Sequence, residues 1–532
     1  MIINIKPSET SVSKNLIRLI IFHHHLLPGG VTDVIKHSLS CFCSMDMIES
    51  ITVVSGRAGN SEKMKAHMES LKSSGTELGI DIMPELDYLS TGTGCSDTVK
   101  LKRLLLERYS SDKAVWLIHN YHLGKNWAFT KALNSIAEDR TQRMIYQIHD
   151  YPECARYANL KELKTHIDQS LYPRSPTLRY CVINVRDYKI MRRAGMNERV
   201  IHLLENPVPA GDNPASLPAD KKRIIKSLNE YKGKEGRLDP DGSLWLYPVR
   251  SIRRKNVLEG GFLAALQDDP VNLILTLPGV SAQEKGYSDL CEDAFNRGLI
   301  QGFWGTGTLP DEARISYQEM ISSSDLIFSS SVQEGFGYMY LNALLWKKPL
   351  IARSLDIMEG FLPLMKNYPA LFYNEISVPA DKDLKSKVKE QYEKRFADLQ
   401  DYLPHELKSK LDGELHDYLK GDSLEFSYLS PPDQCSLLEK LKSPLFISEC
   451  KAMNEATLKR IRKLYSITVS DKETELYSSY GEESYRKDFT QILDSFSGME
   501  APEFDNKNES DQIDKTLQFE FSKLEFLRLI YA

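Results

Sequence analysis

The sequence predicts an α/β chain of two doubly wound units, each a parallel sheet covered by helices on both faces, followed by a helical extension. Three observations carry this. Short apolar runs alternate with longer stretches of helical periodicity, first from Asn15 to Asn184 and again from Ser243 to Ala352, and strands separated by helices imply parallel crossovers. A proline-dense segment, Asn206-Pro207-Val208-Pro209 on to Pro214 and Pro218, breaks both periodicities between the two series. Beyond about Ala380 the alternation stops, and Leu384, Val388, Tyr392, Phe396, Leu399 and Leu403 recur three or four residues apart. The chain therefore divides into a first unit (1–205), a linker (206–225), a second unit (226–379), a helical extension (380–475) and a terminal segment (476–532).

Composition narrows the function classes. A chain of 532 residues, 41% hydrophobic and 27% charged, has material for two cores. Its net charge of -6 offers no general attraction to nucleic acid, so an anionic ligand must be held by local basic groups. The 8 cysteines are scattered, and the one close pair, Cys41 and Cys43, has no second pair at zinc-ligand spacing. Free thiols fit a reducing cytoplasm. The apolar run Leu16–Phe22 carries Arg18, is too short to span a bilayer and lacks a cleavage-site pattern, so neither a signal peptide nor a transmembrane helix is expected, while peripheral membrane contact stays open.

In the first series, Ile17–Phe22, Ile51–Val54, Ile80–Met83, Val115–Ile118, Met144–Ile148 and Cys181–Asn184 read as strands. Ligands in such folds bind beyond the carboxyl ends of the strands, so the residues that follow each run matter most. After the first comes His23-His24-His25-Leu26-Leu27-Pro28-Gly29-Gly30. Gly29 and Gly30 either let the backbone approach a ligand or simply make a tight turn. The three histidines point to alternate faces at a strand end, whereas a metal needs converging ligands. After the fourth run, His119-Asn120 precede Gly124-Lys125-Asn126; without an upstream glycine this is no P-loop. It reads either as an acceptor-side contact through His119 and Asn120 or as a capped helix start with a solvated lysine. The fifth run delivers His149, beside Asp150 and Glu153, as a candidate base, orienter or donor.

In the second series the strands are Ser243–Tyr247, Asn272–Leu275, Ile300–Phe303, Leu326–Phe328 and Leu350–Ala352. Arg250, Arg253, Arg254 and Lys255 follow the first of these, and so many cations near a helix start oppose its dipole, which makes a pure surface role a poor fit. Trp304 follows the third and can stack on a base or fill a core. From Asp325 to Ile351 the pattern is strand, polar loop, Glu334-Gly335-Phe336-Gly337, helix and strand. The glycines bracket a helix start, whose free N–H groups suit phosphate or sugar hydroxyls.

This last stretch resembles the donor-site signature of family-4 retaining glycosyltransferases, in which Glu-Gly-Phe-Gly is followed by a second Glu eight positions after the first. Here that position is Asn342. The resemblance spans most of residues 15–375 and implies a GT-B fold, two Rossmann-like units facing a cleft. It implies that Arg250 and Lys255, which match an arginine–lysine spacing of five, neutralise the leaving phosphate, that His149 contacts the donor sugar, and that Glu334 grips it. It also places Gly29, Gly30, Gly335, Phe336, Gly337 and Asn342 around the donor, Trp304 near the base, and no metal in the reaction. Arg253 and Arg254 are expected as additional anion contacts on the acceptor side, with His119 and Asn120. The stretch Tyr477–Phe496 resembles the helix that crosses back to the first unit in such enzymes.

The expected activity is transfer of a hexose from a nucleoside diphosphate sugar to a hydroxyl acceptor, an anionic one if Arg253 and Arg254 serve it, with no cofactor and no nucleic-acid partner. The alternative is a nucleotide-sugar-binding or scaffold protein with reduced catalysis, motivated by Asn342: an amide can accept a ribose hydrogen bond but lacks charge, a loss of roughly 1 kcal/mol. The final helix presents Leu517, Phe521, Leu524 and Leu527 on one face, to be covered by the core, a partner or a membrane surface.

Overall fold

The structure, a computed structural model, describes residues 16–529 except 60, 73–74, 212–219, 233–236, 312–313, 400–404 and 498–506. Pro214, Pro218 and Leu403, all used above, lie outside the described residues.

The first unit is a 7-stranded parallel sheet of order β3-β2-β1-β4-β5-β6-β7. Its strands are β1 (Ile17–His23), β2 (Ile48–Ser55), β3 (Glu77–Ile82), β4 (Ala114–His119), β5 (Arg143–Ile148), β6 (Leu178–Val182) and β7 (Ile201–Leu203). β4 lies at the centre and is buried at every position, as a strand covered on both faces must be. β1 is buried at all but Arg18. Short β7 went unread in the sequence because three residues give no alternation to detect.

The second unit is a 6-stranded sheet of order β10-β9-β8-β11-β12-β13, from β8 (Ser243–Arg250), β9 (Val271–Leu277), β10 (Gly302–Trp304), β11 (Leu326–Ser329), β12 (Leu350–Arg353) and β13 (Ala370–Tyr373). Both sheets reverse direction of growth beside their first strand, the switch point where doubly wound folds bind ligands. The unit begins earlier than expected. A helix over Lys221–Tyr231, capped by Asp220, starts within the stretch read as linker and buries Ile224, Ile225 and Leu228 in the second core.

The extension contains helices Lys382–Leu399, His405–Leu419, Pro431–Lys440, Pro444–Met453 and Glu455–Leu464, and also a short antiparallel pair, β14 (Ser377–Pro379) with β15 (Ser423–Glu425). A buried ion network ties it to the second unit: Arg353 bonds Glu259 at 2.7 Å and also pairs with Glu425. The crossing segment is two helices, Glu473–Tyr480 and Glu482–Asp494, joined at Gly481. The first packs Leu476 and Tyr480 into the second core, and the second packs Tyr485 and Phe489 against Phe42 of the first unit. Leu517, Phe521, Leu524 and Leu527 are all buried within the chain, with Phe521 against Tyr151 at 4.9 Å between ring centroids. Intramolecular packing thus accounts for that apolar face. No helix among the described residues is long and apolar enough to cross a membrane.

Candidate active site

A cavity of about 300 Å³ opens between the two units, lined from the first by Gly30, Val34, His149 and Asp150 and from the second by Arg254, Lys255, Glu334 to Tyr340 and Asn342. Strand order explains the meeting. β8 and β11 are neighbours, with Trp245 opposite Leu326, so the loops that leave their carboxyl ends run side by side. The β8 loop makes a 3-10 turn over Arg253–Lys255 and then Asn256 enters the left-handed region at φ 51, which asparagine tolerates better than most residues. Tyr247 donates to the Lys255 carbonyl at 2.6 Å, and Ser330 donates to the Asn256 carbonyl at 2.9 Å. Hydroxyls from β8 and from the start of the β11 loop therefore fix the backbone of the turn that carries Lys255.

Glu334, from the β11 loop, is 9% exposed and sits between two cations. Arg254 donates to one carboxylate oxygen at 2.8 Å, and the Lys255 ammonium bonds the other. Burial alone would raise the Glu334 carboxyl, but Lys255 and then Arg254 outweigh it and hold it at about 2. Burial also lowers Lys255 to about 8, against the opposing pull of Glu334. At neutral pH the cluster is a carboxylate with two cations, Glu334 and Lys255 largely shielded from water and Arg254 partly exposed.

The first unit supplies the facing wall. His119 in β4 pairs in register with Gln147 in β5, two residues before His149, so both histidines emerge at the same end of the sheet. Their rings bond, His119 Nδ1 to His149 Nε2, at 2.9 Å. Among the described residues no protein group bonds His149 Nδ1. Burial lowers His149 to about 4, so the ring is neutral at physiological pH. Asn120, left-handed at φ 52, accepts from the His149 backbone N–H at 2.8 Å. His119 and Asn120, expected on the acceptor side, are buried and act on the placement of His149. The three successive histidines diverge: His24 bonds the Leu86 carbonyl at 2.9 Å and His25 the Tyr88 hydroxyl at 2.9 Å.

The glycines fall into two kinds. A Cβ added to Gly29 or Gly30 would meet nothing within 4 Å, so no protein contact demands glycine there and the tight-turn explanation loses its basis. A Cβ on Gly335 would lie 2.9 Å from the His149 carbonyl oxygen, across the gap between units. The same loop is held from the first unit by Asn184, whose side-chain N–H donates to the Gly335 carbonyl at 2.8 Å. Gly337 takes φ +92 at the start of helix Tyr338–Leu345, and a side chain there would strike Tyr340. Asn342 lies one turn into that helix, half-buried on the cavity wall.

Three expected residues lie elsewhere. Arg250 does not line the cavity; its guanidinium, 37% exposed, reaches Glu284 at 3.5 Å, the carboxylate in the capping box of helix Ala282–Asn296. Arg253 is 5% exposed and donates to the carbonyls of Ser427 at 2.9 Å and Leu429 at 3.1 Å, so it anchors the helical extension and is not available to an acceptor. Trp304 donates from Nε1 to Ser251 at 3.2 Å, outside the cavity lining. Arg254, expected as an acceptor contact, instead shares Glu334 with Lys255. Asn184 was missed, although an asparagine that ends a strand run and caps the following helix, accepting from the Asp187 N–H at 2.8 Å, is a legible signal.

Two doubly wound units closed on a cavity, with a Glu-Gly-Phe-Gly loop on one wall and a strand-end histidine on the other, form a two-unit architecture of the GT-B kind. No family model matches the chain. It is 28% identical over 527 residues to the mannosylglucosyl-3-phosphoglycerate synthase of Petrotoga mobilis, covering 97% of this chain and 99% of that protein. Among solved structures it is similar to HepE of Anabaena in complex with UDP-glucose, at a TM-score of 0.49 and 10% identity, with 90% of this chain and 100% of that one covered. It is also similar to sucrose-phosphate synthase of Thermosynechococcus elongatus, at a TM-score of 0.49 and 11% identity, with 90% and 98% covered.

Proposed function

We propose that the chain is a retaining hexosyltransferase that uses a nucleoside diphosphate sugar and needs no metal ion. The observation that carries this is Glu334 held between Arg254 and Lys255 opposite His149 across the interdomain cavity. One carboxylate is shared by two cations, so the cluster keeps a net positive charge. When the donor enters, its diphosphate takes over Lys255 and Arg254, and Glu334 is released to accept hydrogen bonds from sugar hydroxyls. The open space over Gly29 and Gly30 leaves room for the diphosphate and the acceptor. His149, neutral and oriented by His119, offers Nδ1 to the sugar.

In the reaction the bond from the anomeric carbon to the phosphate oxygen breaks, and a bond to the acceptor oxygen forms on the same face. The acceptor proton passes to the leaving phosphate. Negative charge grows on that phosphate, and fixed cations in a dry cleft stabilise it, each by on the order of 3 kcal/mol in the transition state. The relative's name points to an acceptor that carries phosphoglycerate, and to mannose as the transferred sugar. None of the 8 cysteines is in a disulfide, thiol chemistry that supports a reducing compartment such as the cytoplasm.

Asn342 supports a second reading, a donor-binding protein with reduced turnover. A panel of nucleoside diphosphate sugars, assayed with and without chelator for transfer to a phosphoglycerate-bearing glucoside, separates the two. Chelator-resistant transfer with retained anomeric configuration is the expected result. Donor binding with no turnover favours the second reading, and neither binding nor turnover defeats both.

A further inference from the structure

We propose that the carboxyl edge of the first sheet holds an anion subsite, built on Lys125, Arg57 and Arg156 around Tyr88, that receives the phosphate or carboxylate of the acceptor. The inference rests on the transferase reading above and locates a part of the acceptor that reading leaves unplaced.

Topology brings these residues together. In the order β3-β2-β1-β4-β5, each strand is followed by one member of the group: Tyr88 after β3, Arg57 after β2, His25 after β1, Lys125 after β4 and Arg156 after β5. Residues scattered over 132 positions of sequence thus share one sheet end, the end at which parallel sheets bind ligands. Tyr88 is the hub. His25 bonds its hydroxyl at 2.9 Å, the Lys125 ammonium lies 5.4 Å from its ring centroid, and the Arg57 guanidinium lies 6.0 Å from it. The patch adjoins the cavity through Asp150, which lines that cavity and pairs with Arg156 at 3.2 Å.

Charge is not balanced within the group. Arg57 is matched by Asp87 at 3.0 Å and Arg156 by Asp150, while no carboxylate pairs with Lys125 among the described residues. Three cations face two carboxylates. Lys125 is nonetheless half-buried, and burial followed by the nearby charge of Arg156 lowers its pKa, so the fold holds this ammonium against its own electrostatics. A solvated surface lysine would turn outward and avoid that cost.

The loop that carries Lys125 is also built to stay in place. Gly124 takes φ +68, and a Cβ there would lie 2.6 Å from the Asn159 carbonyl oxygen. Asn126 donates to the carbonyls of Glu85 at 3.0 Å and Asp87 at 2.9 Å, and the Lys125 carbonyl accepts from the Leu89 N–H at 3.0 Å. The β4 loop is thereby laced to the β3 loop that bears Tyr88. Polar atoms without partners surround the group: Arg57 Nε, His24 Nε2 and His25 Nδ1 are buried and make no hydrogen bond. A fixed, under-neutralised set of donors is the chemistry that recognises a phosphate monoester or a carboxylate.

The test is titration calorimetry on the full chain at constant ionic strength, with 3-phosphoglycerate, inorganic phosphate, UDP and GDP as separate probes. Lys125→Gln is expected to weaken 3-phosphoglycerate binding by about tenfold. Lys125→Arg should stay within about threefold of wild type, because the charge is retained. Nucleotide binding should change in neither variant. The subsite is overturned if 3-phosphoglycerate binds Lys125→Gln as well as wild type, or fails to bind wild type at millimolar concentration. Inorganic phosphate binding as tightly as 3-phosphoglycerate overturns the acceptor assignment. Loss of nucleotide binding in wild type with Lys125-dependent 3-phosphoglycerate binding intact defeats the transferase reading and leaves the anion subsite standing.

Discussion

Replacing Lys255 by methionine separates what the Glu334 cluster does for turnover from what it does for stability. Lys255 is held at about 8 instead of its ordinary 10.5 because burial outweighs the attraction of Glu334. That difference corresponds to roughly 3 kcal/mol against the folded state at neutral pH. Methionine fills a similar volume without charge and removes the burden. In opposition, Glu334 loses the stronger of the two cations that bring it down to about 2, while Arg254 remains at 2.8 Å. The two effects are of similar size and opposite sign, so the expected shift in Tm is below about 3 °C in either direction. Turnover should fall by about 10²–10³, the usual cost of deleting a group that stabilises transition-state charge. Differential scanning fluorimetry and steady-state transfer kinetics at saturating acceptor supply the two readouts. A Tm loss above about 5 °C with kcat within threefold of wild type would refute the reasoning and make Lys255 a structural cation.

Further outcomes follow from the same geometry. Because the folded pKa of Lys255 is lowered, its charged form is the disfavoured one, and chain stability should rise as pH climbs from about 8 toward 10.5. Nucleoside diphosphate binding should weaken over the same window, since the diphosphate needs the ammonium, and Lys255→Arg should abolish that limb; a flat wild-type Kd between pH 7 and about 9.5 contradicts it. Gly335→Ala drives a methyl to 2.9 Å from the His149 carbonyl and should part the two units, with kcat reduced about tenfold and a larger radius of gyration by X-ray scattering. An unchanged kcat would show that the closed arrangement is not the reactive one. Asn342→Glu should tighten donor binding by about fivefold with little change in kcat; lower turnover would remove Asn342 from the ribose side. Arg253→Met should leave acceptor KM unaltered and cost about 2 kcal/mol of stability, because the Ser427 and Leu429 carbonyls lose their donor.

Much of the fold was legible because its long strands are buried on both faces and so appear as continuous apolar runs, as β1 and β4 do. What escaped notice was short or lacked periodicity. β7, β14 and β15 are three residues each, below the length at which alternation can be distinguished from chance. The hinge at Gly481 was read through as a single crossing helix because helical spacing continues on both sides, from Leu476 and Tyr480 to Tyr485 and Phe489. Only contact with two different cores reveals the break.

The site shows a sharper division. Residues whose role depends on position along one strand-to-loop step, His149, Lys255, Glu334 and the Gly335–Gly337 segment, could be read from the sequence and do line the cavity. Roles that depend on which way a turn points could not. Arg250, Arg253, Arg254 and Lys255 crowd one stretch of six residues, yet they reach three places: Arg250, at the end of β8, goes to Glu284, and the 3-10 turn sends Arg253 into the extension and Arg254 and Lys255 to Glu334. Spacing alone favoured Arg250 as the partner of Lys255. The structure instead makes Arg254 the second cation on the carboxylate, and a consequence follows for Asn342. With two cations on Glu334, donor entry exchanges their contacts to the carboxylate for contacts to the diphosphate. Both Glu334 oxygens are already taken by Arg254 and Lys255, so this cluster is complete without a carboxylate at position 342. Asn342 is thus compatible with a site whose cations are already largely spoken for, and it need not mark decay.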